Sequence, residues 1–136
     1  MATFVDYEPN RPFLLPLDMR EWLPEGHLAL FVSDVVDTLD LSGLYRLRGT
    51  GAPGYHPAMM IKLLAYGCCI GVTASRKIED ATWLDVAFRV LAANQHANHD
   101  TIAAFRKRHP GESRKVFLQA LRLCQTSGLR KLVHVA

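Results

Sequence analysis

The sequence predicts an all-α fold: a compact multi-helix domain with a helix-turn-helix-like unit and a short C-terminal strand stub. Three observations carry this. Apolar residues recur at helical spacing along most of the 136 residues. Prolines, glycines and helix-capping side chains divide those stretches at short intervals. Strand-like alternation is confined to Lys131–Ala136. Hydrophobic residues make up 49% of the chain and charged residues 21%, enough to build a core and too apolar for a disordered tail.

The elements follow in order. Residues 9–26 hold Pro9, Pro12, Pro16 and Pro24. Pro16 to Leu23 fits a short helix ended by Pro24, with the rest of this arm extended over the domain and Trp22 as its buried anchor. Residues 27–39 form an amphipathic helix: Leu28, Phe31, Val32, Val35, Val36 and Leu39 face inward, Ser33, Asp34 and Asp37 outward. Leu44 to Arg48 is a weaker helix. Residues 49–54 are a loop that lacks the lysine and spacing of a P-loop.

Pro57 suits a first helical position. Residues 57–71 are apolar nearly all round, with Lys62 as the lone charge, so this helix belongs at the centre of the domain. Each fully buried Leu or Ile is worth roughly 1.5–3 kcal/mol, so it should dominate stability. Tyr66, Met59 and Met60 read as core. Ser75 is the expected cap of residues 76–84, with Ile78, Ala81, Trp83 and Leu84 as apolar contacts. Asp85 caps residues 86–93, where Phe88, Val90 and Leu91 are inward. Residues 94–98 break the chain before a basic helix at about 100–109, capped by His99-Asp100-Thr101. Pro110-Gly111 stops that helix. Glu112 to Thr126 forms the last one, with Val116, Phe117, Ala120, Leu121, Leu123 and Cys124 inward and Arg114, Lys115, Arg122 and Gln125 outward. A lone strand after Gly128 has no partner for its backbone. It implies a boundary, with the helical domain at 1–128 and the beginning of something further at 129–136.

Several classes are excluded. No apolar run approaches the ~18–20 residues of a membrane span, and the N-terminus does not read as a signal peptide. Cys68, Cys69 and Cys124 lack disulfide or zinc spacing. They read as buried thiols in a reducing cytoplasm. His96, His99 and Asp100 are spaced as ligands on a helix would be, but they fall in a polar turn, where capping is the simpler role. His27 and His56 precede helices and suit capping. No nucleophile elbow and no defensible carboxylate pair occurs, so no catalytic site and no cofactor is expected in this chain.

Charge is polarised. Residues 1–40 hold two arginines against eight acids, a net −6; residues 99–136 hold eight cations against two acids, a net +6. A basic C-terminal third suits a polyanion; pairing between the two ends is the alternative. On a helical projection Ile102, Phe105 and His109 share one side of the basic helix, with Arg106 on its flank. Ala103, Ala104, Lys107 and Arg108 share the other. Small residues between cations let a helix approach a duplex groove closely. His99, Thr101, Ala103, Ala104, Lys107 and Arg108 are candidate groove residues. Arg106, Arg114, Lys115 and Arg122 are candidate phosphate contacts.

Five segments together resemble the N-terminal domain of bacterial insertion-sequence transposases of the DDE type (InsH-like). They are Leu14 to Ala29, Tyr55 to Gly67, Ser75 to Glu79, Phe88 to Gln95 and His99 to His109. One departure is Ala97-Asn98, where the family often has Pro-Asp; it implies a looser turn. The resemblance implies a domain that binds double-stranded DNA at the terminal inverted repeats of a mobile element. In that family a separate RNase H-like domain cuts and joins DNA with three carboxylates and divalent metal ions. The first carboxylate lies on a strand of which Leu132 to Ala136 resembles the beginning. The chain ends before that aspartate, so it is expected to be catalytically incomplete. It would be an excised domain, an interrupted product or one half of a split transposase. A homodimer or a separate catalytic half are its expected partners. The alternative function is a protein-interaction or dimerisation module without DNA contact.

Overall fold

A computed structural model describes residues 5, 8–10, 18–42, 44, 54–108 and 110–124. These form an all-α domain. A 3-10 turn at Met19–Trp22 leads into α1 (Leu28–Asp37), α2 (Pro57–Ile70), α3 (Ser75–Leu84), α4 (Val86–Leu91), α5 (His99–Arg108) and α6 (Pro110–Cys124). Most of the Leu44–Arg48 helix, most of the 49–54 loop, the boundary near residue 128 and the strand stub lie outside the described residues.

The centre is α2, which packs against α1, α3, α4 and α6. Its start is set by two local signals. Pro57 takes the first helical position, and the His56 Nδ1 accepts the Ala58 N–H at 3.1 Å. His27 does the same for α1, accepting from Ala29 at 3.0 Å. Both histidines therefore satisfy a free N–H of a helix's first turn. Ile61, Leu63 and Ala65 are buried. The lone charge, Lys62, reaches Asp37 of α1 at 2.8 Å. The Tyr66 ring meets Phe88 edge-on, centroids 5.1 Å apart. Burial, then Asp85 and Cys69, push the Tyr66 phenol up to about 12. Cys68 and Cys69 are half-buried free thiols rather than fully buried ones, because they lie in the last turn of α2.

Gly71 closes α2 in the left-handed region, φ +82°, where a side chain would be strained. One turn earlier, Gly67 accepts the Val72 N–H at 2.7 Å, and a Cβ on it would collide with the Val72 carbonyl oxygen. The chain thereby bends by 97° into α3. Ser75 is the first residue of α3, not its cap; Ala74 occupies the cap position and offers no side-chain acceptor. Asp85 caps α4 as expected, accepting from Ala87 at 2.8 Å.

After α4 the chain turns through Ala93 and Asn94, both with positive φ. The Asn94 Oδ1 accepts two hydrogen bonds from the Arg89 guanidinium, at 3.1 and 3.0 Å. That guanidinium also lies 5.8 Å from the Trp22 ring centre. Trp22 is thus held by a cation over its ring and is only half-buried. Pro110 does not open a loop: it is the first residue of α6, where its missing N–H costs nothing. No single helix among the described residues is long and apolar enough to cross a membrane.

Candidate nucleic-acid interface

The basic helix α5 has an inner and an outer side. Ile102 is 1% exposed and Phe105 packs on the core. Ala104, Lys107 and Arg108 face solvent, and Ala103 and Thr101 are half-exposed. His109, expected on the inner side, lies outside the described residues.

The N-terminus of α5 is fixed by residues other than those expected. Asn98, not His99-Asp100-Thr101, supplies the capping oxygen: its Oδ1 accepts the Thr101 N–H at 2.8 Å and the Thr101 hydroxyl at 2.9 Å. Asn98 stands where the resemblance anticipated an aspartate and a looser turn. A second acceptor comes from α3. The Glu79 carboxylate takes the His99 backbone N–H at 3.2 Å and lies 3.3 Å from His99 Nδ1. The His99 Nε2 lies 3.4 Å from Asp100. Thr101 and His99 therefore already have protein partners. Asp100 sits in the first turn, where a negative charge complements the helix dipole.

The far end of α5 is fixed as well. Arg106 Nη2 donates to the Thr73 carbonyl oxygen at 2.5 Å. Burial lowers the Arg106 pKa from its ordinary value. This arginine bends back toward the turn between α2 and α3, so it differs from its neighbours. Lys107, Arg108, Arg114 and Lys115 are exposed and have no ion-pair partner among the described residues. Arg122 is exposed too, and it has a partner. Arg106 and Arg114 converge on one cavity of about 410 Å³ lined also by Ile61, Leu64, Cys68, Thr73 and Phe117.

The histidines near the turn do separate jobs. His96 stacks on Trp83, ring centres 3.4 Å apart and planes within 6°. Its Nδ1 lies 3.2 Å from the Thr82 hydroxyl. The Tyr55 hydroxyl donates to its backbone carbonyl at 3.2 Å. His99 faces Glu79 instead. No three His, Cys, Asp or Glu side chains among the described residues are grouped to hold a metal ion.

The sequence predicts Trp83 and Leu84 as apolar contacts of this helix; the structure leaves them 60% and 85% exposed, with Trp83 stacked on His96. Their position on the helix gave the signal. Ile78 and Thr82, four apart, form the buried line of α3, and Trp83 stands a further ~100° round the axis. Glu79 was missed as a support for α5, because its partner lies twenty residues away in another helix.

The family description "Transposase domain (DUF772)" matches residues 17–108, which takes in every element from the 3-10 turn to the end of α5. No curated protein and no solved structure matches the chain. With the match covering more than half of its length, the chain belongs to this transposase-domain family, and its role lies in transposition.

Proposed function

We propose that this domain binds double-stranded DNA at the terminal inverted repeats of its element, with the outer side of α5 as the contact surface. The observation that carries the reading is the pair Lys107 and Arg108, exposed beside Ala104 and free of ion pairs among the described residues, in a transposase domain. Cations without internal partners can displace counterions from a duplex, and Ala104 adds little bulk between helix and groove. Arg114, Lys115 and Arg122 on α6 are candidate phosphate contacts. His99 and Thr101 act mainly by fixing the start of α5, since both are engaged by Glu79 and Asn98. The domain performs no chemistry itself. Strand cleavage, with its divalent metal ions, belongs to a separate RNase H-like half acting in the cytoplasm with it.

The test is a salt-titrated binding assay with terminal-repeat duplex. Lys107→Glu with Arg108→Glu should weaken binding and flatten the salt dependence by about 0.9 per lost phosphate contact. Unchanged affinity and slope would remove α5 from the interface.

A second reading, a protein-interaction module without DNA contact, is favoured by the exposed apolar group Trp83, Leu84 and Val86 at the junction of α3 and α4. Sedimentation separates the two: a stable DNA-free dimer that ignores duplex would favour it.

A further inference from the structure

We propose that the cavity between α2, α5 and α6 binds a small apolar carboxylate, with its body on the apolar floor and its head on Arg106 and Arg114. The floor is Ile61, Leu64, Cys68 and Phe117. At about 410 Å³ the cavity falls within the ~300–1,000 Å³ range of ligand sites. Among the described residues its polar groups are few and consist of two guanidinium cations and the Thr73 segment, with no acidic side chain. That composition selects for an amphiphile of one sign. An apolar body alone would leave both cations unmatched, and a bare anion would leave the floor wet.

Arg106 makes the stronger case. Its described partner is a neutral carbonyl, which uses one of the five N–H donors of a guanidinium. Arg106 is exposed as a residue, but partial desolvation of its guanidinium, the cause of its lowered pKa, is not compensated by any carboxylate among the described residues. A carboxylate head would supply that compensation through paired, charge-assisted hydrogen bonds. Arg114 adds a second fork from another helix. The Thr73 tether fixes the Arg106 guanidinium before the ligand arrives, which lowers the entropy cost of binding. The site goes beyond duplex binding and does not depend on it. Arg106 and Arg114 would serve this cavity whether or not they also meet phosphates.

The experiment is calorimetric titration of the full chain, without DNA, using decanoate, decanol and acetate as probes. We expect one decanoate per chain, decanol weaker by about tenfold or more, and no measurable acetate binding. Arg114→Gln should weaken decanoate by about tenfold and leave decanol unchanged. Cys68→Trp, which fills the cavity, should abolish both. Arg114 is exposed, so its substitution keeps the test interpretable if the Cys68 variant fails to fold. Decanoate binding equal to that of decanol, indifferent to Arg114→Gln, or occurring at many sites per chain would overturn the proposal. So would the absence of any decanoate binding. Because no duplex is present, failure here leaves the DNA reading standing, and failure of the DNA assay leaves this one.

Discussion

Helices α2 and α5 are both central to this molecule, and they are held by opposite means. The first is enclosed by four other helices and is placed mainly by apolar burial, with the His56 cap at its start and the Lys62–Asp37 ion pair as its polar additions. The second packs on α3 and α6, buries Ile102 deeply, and is otherwise fixed through polar contacts at its ends: Asn98 and Glu79 at the start, Arg106 near the finish. Burial is non-directional, so it can centre a helix without specifying which side faces out. Hydrogen bonds are directional, and they orient a helix whose other side must remain free. The contrast separates stability, carried by α2 and its neighbours, from the exposed surface offered by α5.

The largest expected effect tests the apolar half of this contrast. Phe88, which closes the core against Tyr66, is fully buried. Phe88→Ala should lower unfolding free energy by about 3–5 kcal/mol in urea titrations. A loss below about 1 kcal/mol would mean the centre is more plastic than its packing indicates.

Gly67 comes next. Adding a Cβ would drive it into the Val72 carbonyl, a backbone atom that cannot swing away. Gly67→Ala should cost about 1–3 kcal/mol by thermal or urea unfolding, as overpacking does. A neutral outcome would show that the corner between α2 and α3 can open.

The polar half predicts smaller losses with a different signature. Asn98→Ala removes the capping oxygen at the head of α5 and should cost about 0.5–2 kcal/mol. Amide exchange should quicken at Thr101 and Ile102 while the exchange of α2 is unchanged. Equal quickening in both helices would collapse the distinction between them. The smallest effect belongs to Lys107 and Arg108. Their reversal to Glu should shift stability by no more than about 0.5 kcal/mol, since exposed cations with no ion-pair partner among the described residues contribute little. A larger destabilisation would assign these cations a structural role instead of a binding one.

The same division explains how much could be read from the sequence. The centre of the fold was legible because burial leaves a local trace: α2 is apolar nearly all round, and His27, His56 and Asp85 stand immediately before the helices they cap. The outward side of α5 was legible for the same reason, from spacing alone. Glu79 and Thr73 left no such trace, because each meets its partner across the fold. Trp83 was misread where residue type was weighed above angular position. Pro110 was taken as a terminator although a proline is equally at home at a first helical position, and only the neighbouring packing decides between those roles.

The two anchors of α5 share an address. Glu79 belongs to α3, and Thr73 lies in the turn that leads into it. Both ends of the basic helix are thus pinned to one contiguous stretch of backbone, like a rung fixed to a single rail. Neither its tilt nor its roll about its own axis is left for a duplex to determine. The angular setting of Lys107 and Arg108 is accordingly inherited from α3, and substitutions that tilt α3 should re-aim these cations without altering either one.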